Sequence, residues 1–187
     1  MKPGKIVIIR GKVTAGKSTI SHGLAKVLPG WIFIDQWKIK EMFEPLDLKD
    51  RTPLREISKN SMIIIMKGVI RKMGINIIVQ ETSQDFIKRS LGTDLKKYNY
   101  KLYSFFLNIN LKNAVKRDIQ RDKPTMRIGK KIKTNEEWEK TKAQPEKGDI
   151  VINTKNHNIK QVINIILKQI KEKRGKHPKS HLIRKAW

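Results

Sequence analysis

The chain has 187 residues, 42 Lys and Arg against 17 Asp and Glu, a net charge of +25, and no cysteine. The missing cysteines exclude disulfide scaffolds and cysteine-ligated zinc, and they fit a reducing cytosol, the expected compartment. The length suits one ordinary domain, and no stretch approaches the ~20 apolar residues of a membrane span, so no membrane partner is expected.

Ile6-Val7-Ile8-Ile9 is an apolar run with no polar alternation, as expected of a parallel strand buried on both faces. A glycine-bounded loop follows, then a helix from about Lys17 to Leu28 that Pro29-Gly30 ends. Trp31 to Ile34 reads as the second strand, closed by Asp35, with a polar helix near Gln36 to Phe43 beyond it. Thr52-Pro53 reads as an N-cap followed by proline at the first helical position. The helix it opens runs to about Met73, with an apolar stripe of Leu54, Ile57, Ile64, Ile65, Val69 and Met73. Gly74 stops it.

Ile75 to Val79 is the third strand, ending at Gln80-Glu81-Thr82. A helix from about Gln84 to Tyr98 follows, weakened at Gly92. Lys101 to Ile109 is the fourth strand and Leu111 to Arg121 is helical. Residues 122–133 are basic and only weakly periodic, and Thr134 to Glu137 spells a capping box. Ile150 to Ile152 is the fifth strand, and Asn158 to Lys171 the last amphipathic helix.

Strands interleaved with helices predict a three-layer α/β domain with a five-stranded, mostly parallel sheet over residues 1–170. Residues 171–187 read as a basic tail outside the domain, with seven Lys or Arg against one Glu. That tail holds +6 of the charge, which leaves +19 on the rest. Codon bias toward Lys would enrich Glu as well, yet acids are scarce. A body so basic points to a polyanion, with nucleic acid first among such partners.

Gly11-Lys12-Val13-Thr14-Ala15-Gly16-Lys17-Ser18 matches G-x-x-x-x-G-K-[ST] at every fixed position, between the first strand and the first helix. Its chemistry is that of a phosphate-binding loop. The glycines let backbone N–H groups converge on phosphate oxygens, and the following helix adds its N-terminal dipole. Gly11, Thr14, Ala15, Gly16, Lys17, Ser18 and Thr19 are therefore the candidate ATP-binding residues. Lys17 is placed for the β- and γ-phosphates, Ser18 for Mg2+ and Thr19 for the α-phosphate.

Large P-loop ATPases add modules for which the chain has no room, and no N-K-x-D guanine motif is complete. Small kinases instead carry an acceptor region after strand two and a basic lid after strand four. Arg117 and Arg121 stand one helical turn apart, with Arg127 beyond, where guanidinium groups suit a transferring phosphoryl or stack on a base. Asp35 and Glu81 each end a strand, where a carboxylate can accept a hydroxyl proton or hold a Mg2+-bound water, although Asp35 also reads as an ordinary helix N-cap. Trp37 can stack an acceptor base or support a loop, and Trp31 and Phe43 read first as core.

The loop Gly11–Ser18, the strand end Val79-Gln80-Glu81-Thr82, the string Val115-Lys116-Arg117-x-x-x-Arg121 and Tyr98-Asn99-Tyr100-Lys101 together carry a resemblance. The chain resembles the P-loop kinase superfamily of 5′-hydroxyl polynucleotide kinases, zeta-toxin-like kinases and chloramphenicol phosphotransferase-like proteins. Its pattern is most similar to the polynucleotide kinases over about residues 5–168. The resemblance implies a P-loop NTPase fold with a small helical lid, Arg121 on the donor phosphates and Arg117 by the base. It also implies Glu81 near the acceptor end and Asp35 as the acid that orients the hydroxyl or a Mg2+ water. Polynucleotide kinases carry an Arg three residues after that Asp. Without a gap from Pro29-Gly30 their Asp falls on Trp37, and a two-residue gap restores Asp35 with Lys38 in place of the Arg.

The expected activity is Mg2+-dependent transfer of the ATP γ-phosphoryl to a hydroxyl, the 5′-hydroxyl of DNA or RNA first. Catalysis would rest on Lys17, Asp35 and Arg121, acceptor binding on Asp35, Trp37, Lys38 and Glu81, and metal binding on Ser18 and Asp35. Two other readings stay open. One is a small-molecule kinase for a nucleoside, an antibiotic or a sugar, and the other a nucleic-acid-binding ATPase without an acceptor.

Overall fold

A computed structural model describes residues 3–43, 52–80, 82–120, 134–140 and 143–171 of the chain. Arg121, Arg127, Glu81 and the tail beyond Lys171 lie outside the described residues, as do the expected lid segment and Thr52's side chain.

The strands are β1 (Gly4–Gly11), β2 (Ile32–Asp35), β3 (Ile77–Gln80), β4 (Tyr100–Asn108) and β5 (Ile150–Asn153). They form one sheet in the order β2-β3-β1-β4-β5, and every pairing is parallel. The helices are α1 (Lys17–Val27), α2 (Gln36–Glu41), α3 (Thr52–Gly68), α4 (Gln84–Lys97), α5 (Leu111–Ile119), α6 (Asn135–Glu139) and α7 (Ile159–Lys171). Among the described residues each expected strand and helix is present, most with ends shifted by a residue or two.

β1 sits at the centre because only a strand without polar alternation can be covered on both faces. Ile6, Val7, Ile8 and Ile9 are all fully buried. Their alternation divides the core in two. Val7 and Ile9 join Ile78 beneath α1, α5 and α7, where Ile20, Leu24, Ala114, Val162 and Ile166 pack. Ile6 and Ile8 join Ile34, Ile77 and Val79 against α3 and α4, with Met62, Met66, Ile87 and Leu91. Phe33 packs against the α1-side cluster, so the strand pleat carries Asp35 to that side as well.

α3 departs from the sequence expectation. Leu54 and Val69 of the expected stripe are buried, but Ile57, Ile64, Ile65 and Met73 are exposed. The buried face is Leu54, Ser58, Met62, Ile63, Met66, Val69 and Ile70. The run Met62-Ile-Ile-Ile-Met66 is apolar all round, so the pattern alone does not choose a face. The choice follows from Met62 and Met66, whose unbranched side chains fill the space over the sheet. α3 continues as a π-helical turn, Val69–Met73, which Gly74 closes in the left-handed region at φ 63°. α4 runs unbroken through Gly92.

Among the described residues, no helix is long and apolar enough to cross a membrane. Two helices open with reciprocal caps, the first of them the capping box that the sequence spells. Thr134 and Glu137 bond each other's backbone N–H at the start of α6, and Asn158 and Gln161 do the same ahead of α7.

Candidate active site at the carboxyl edge of the sheet

Parallel strands deliver their loops to one edge, and the ligand sites of such sheets lie there. Gly11 ends β1 against β4 so closely that a Cβ would lie 2.3 Å from the Leu107 carbonyl oxygen. The loop then turns through two left-handed residues, Thr14 at φ 60° and Gly16 at φ 94°. Thr14 is β-branched, so this conformation stores strain. Its hydroxyl donates to the Val13 carbonyl at 2.7 Å.

Gly16 caps α1 without any side-chain hydrogen bond, and no acid stands in the first turn. The N–H groups at the helix start are thus left for an anion. Lys17 curls back, and its Nζ donates to the carbonyls of Gly11 and Lys12 at 3.1 Å each. Lys12, at a variable position of the motif, is buried. Its ammonium meets Glu139 at 2.6 Å and lies 5.3 Å from the Trp138 ring centre. Trp138 is buried and donates through Nε1 to the Ile109 carbonyl at 2.9 Å. α6 is thereby fastened to the loop.

Ser18, Asp35 and Gln80 converge on one point. The β2–β3 register sets Asp35 directly beside Gln80, and the β1–β3 register sets Gln80 beside Ile9. Gln80 Nε2 donates to Ser18 Oγ and to Asp35 Oδ1, at 3.2 Å each. Asp35 Oδ1 also accepts from the Trp37 N–H at 2.9 Å. Asp35 is therefore both the N-cap of α2 and part of the loop's surroundings. Gln80 is buried, and its Oε1 has no hydrogen-bond partner among the described residues. Hydroxyl, carboxylate and amide oxygens form a hard-donor set that fits Mg2+ with water between.

Two further features flank this point. On one side a cavity of about 300 Å3 is lined by Thr14, Gly16, Thr19, Arg117, Thr154 and His157 among others. Arg117 forms its wall, donating to the Thr154 carbonyl at 3.1 Å and to Thr154 Oγ1 at 3.3 Å. On the other side two cavities of about 300 and 260 Å3 share Lys59 as a wall. The first takes in Gly11, Phe86, Arg89 and Arg10, and the second Gln36, Trp37, Lys40 and Arg55. No carboxylate lines either among the described residues.

Arg10 is already paired with Asp149 at 2.7 Å and Glu146 at 3.0 Å. Lys40, Arg55, Lys59 and Arg89 make no ion pair among the described residues; Lys40 instead lies 4.7 Å from the Trp37 ring centre. Gln36 is buried in the same wall, with its Oε1 also unpartnered.

The structure brings together Gly11, Thr14, Ala15, Gly16, Lys17, Ser18, Thr19, Asp35 and Arg117. Trp37 is half exposed and faces a cavity. Lys38 does not line that cavity. It turns to Glu41 at 2.6 Å, and this carboxylate, with a smaller contribution from Asp35, holds the ammonium above its ordinary range. Trp31 and Phe43 pack against the two core clusters, and the His22 ring meets Phe33 edge-on.

Gln80, Lys12, Thr154, His157, Lys40, Arg55, Lys59 and Arg89 were not legible as site residues. For Gln80 a signal existed. It stands two residues after Ile78, so strand alternation puts it on the face that α1 covers, where Ser18 begins the helix.

No protein-family model matches the sequence, and no curated protein does. Solved structures do resemble it. The tunicamycin resistance protein of Deinococcus radiodurans superposes with a TM-score of 0.59 at 21% identity, over 90% of this chain and 96% of that one. The APS kinase CysC of Mycobacterium tuberculosis, in complex with AMPPNP and APS, gives 0.60 at 13% identity, over 91% and 100%. A chain of the Pnkp1/Rnl/Hen1 RNA repair complex gives 0.51 at 17% identity, over 78% of this chain and 49% of that one. The shared feature is the fold, a three-layer α/β domain built on a five-stranded parallel sheet.

Proposed function

We propose that the protein is an ATP-dependent kinase that transfers the γ-phosphoryl of ATP to the 5′-hydroxyl of a nucleic acid. The observation that carries the acceptor is the pair of cavities joined at Lys59. They open beside the phosphate loop at Gly11 and beside Asp35 at Gln36, and their charged lining is wholly cationic among the described residues. Phosphodiester groups suit Arg55, Lys59 and Arg89, and a base suits the half-exposed Trp37 ring. Gln36 Oε1 offers an acceptor to a sugar hydroxyl or a base N–H.

The donor side follows from the loop. Backbone N–H groups at Gly16 and the start of α1 hold the phosphates. Lys17 exchanges the carbonyls of Gly11 and Lys12 for phosphate oxygens, which are better partners for an ammonium. Arg117 and Thr154 border the base. Ser18 and Asp35 would hold Mg2+, which when bound would neutralise part of the phosphate charge. Asp35 takes the hydroxyl proton, while Arg121 on the donor phosphates and Glu81 near the acceptor complete the assignment from sequence alone. The chain supplies position and charge rather than a covalent intermediate. Proteins of the same fold support the range: one is a complex with AMPPNP and APS and another belongs to an RNA repair complex.

The cavities would also take a small phosphorylated or sulfated molecule, which keeps a small-molecule kinase as the second reading. Incubation with γ-labelled ATP, Mg2+ and a 5′-hydroxyl oligonucleotide separates the readings. Label on the oligonucleotide is expected. Label only on small metabolites supports the second reading, and release of phosphate without an acceptor supports an ATPase. Lys17→Ala should lower any transfer by about a hundredfold or more. An unchanged rate in that variant would show that the loop is not the donor site.

A further inference from the structure

The third partner of Ser18 and Asp35 is an amide, where a strand-end acid could equally have stood. A carboxylate only accepts, so Asp35 Oδ1 fixes which end of the Gln80 amide faces it. The two N–H groups of Nε2 then serve Ser18 and Asp35 at once, and Oε1 is the end left over. It is buried, and no described residue answers it. A buried acceptor with no partner is costly unless something else donates to it. Ser18 loses nothing by accepting from Gln80, since its hydroxyl keeps a second lone pair and its proton.

We infer that Gln80 is a positioning residue for the metal: it ties Ser18 to Asp35 and turns Oε1 toward the hydration shell of a Mg2+ that arrives with the nucleotide. The charge count gives this a consequence. Among the described residues no group of three His, Cys, Asp or Glu side chains can hold a cation. Asp35 is the one carboxylate at this point among the described residues. A glutamate at position 80 would set a second negative charge beside it and repel it whenever no cation was present. The neutral amide holds the same geometry without that repulsion. Free Mg2+ then binds poorly, and the phosphates of ATP bring most of the charge that retains it.

This inference rests on the loop being a Mg2+-ATP site, and the test separates the two claims. Affinity of the full chain for a non-hydrolysable ATP analogue is measured by calorimetry with Mg2+ and with EDTA. Mn2+ binding without nucleotide is measured by electron paramagnetic resonance. In the unsubstituted protein Mg2+ should tighten the analogue, and Mn2+ alone should bind weakly. Gln80→Ala should keep the EDTA affinity but lose about tenfold or more of the Mg2+-dependent gain.

Gln80→Glu is nearly isosteric and carries the test even if Gln80→Ala does not fold. It should bind Mn2+ alone about tenfold more tightly than the unsubstituted chain. A full Mg2+-dependent gain in Gln80→Ala overturns the role of Gln80. So does a folded Gln80→Glu with no gain in Mn2+ affinity. If the unsubstituted chain binds the analogue without any Mg2+-dependent gain, the inference falls and the nucleotide site stands, whereas no binding of the analogue at all removes the nucleotide reading.

Discussion

At the residue scale the two motif glycines are required for different reasons, and that difference is testable. Gly11 is hemmed in by β4, with the Leu107 carbonyl oxygen 2.3 Å from where a Cβ would stand and the Leu107 nitrogen at 2.8 Å. Backbone cannot yield as a flexible side chain can. Gly16 has φ 94° but nothing within 4 Å of its Cβ position. Gly11→Ala should therefore cost about 1–3 kcal/mol or more through overpacking. Gly16→Ala should cost only the left-handed penalty of about 1–2 kcal/mol. Urea denaturation of the two variants checks the order, and equal stabilities would contradict it. Sequence showed that both positions are glycine, but the distinction depends on how β4 approaches, a contact between residues 96 positions apart. The same limit hid Arg55, Lys59 and Arg89, which meet only once α3 and α4 are packed.

At the element scale the fold was largely legible, because each step used a local rule. A two-faced apolar run made β1, Pro29-Gly30 ended α1, and Thr134 with Glu137 opened α6. The face of α3 was not, since five consecutive large apolar residues satisfy every helical phase. What fixes α3 against its neighbour includes a pair of ion contacts. Arg71 Nε and Nη2 reach the two oxygens of Asp94 on α4 at 2.9 and 3.0 Å. This fork binds the far end of α3 to the helix that carries Arg89, and so braces the cationic wall.

The Arg71 hydrogen bonds hold the Asp94 carboxyl below its ordinary value, against a burial that pushes the other way. A depressed carboxyl adds stability above its unfolded pKa, about 3.9, and loses it as the pH falls through the lower folded value. Asp94→Asn should therefore melt at a lower temperature than the unsubstituted chain at neutral pH. The gap should narrow on acidification below about pH 4. Thermal melts across that range check it, and a gap independent of pH would assign the pair's effect to packing alone.

At the scale of the whole molecule the question is what a charge of +25 is for. Lys12 is used inside the fold, against Glu139 and Trp138. Arg10 and Arg71 are matched by acids. Lys40, Arg55, Lys59 and Arg89 are not matched among the described residues, yet they surround cavities instead of scattering over the surface. Generic basicity and a built phosphate site predict different salt behaviour. Each phosphate neutralised on a single strand adds about 0.7 to the slope of log affinity against log salt. If the cavities hold the acceptor's phosphates, Lys59→Ala or Arg55→Ala should flatten that slope by about 0.7 apiece. Lys26→Ala should leave it unchanged, because Lys26 sits in the last turn of α1, remote from the carboxyl edge where that helix begins. Binding of a 5′-hydroxyl oligonucleotide measured by fluorescence anisotropy over a salt series reads all three slopes. An equal flattening in all three variants would mean that the charge acts only as a diffuse field, and would remove the cavities from the acceptor site.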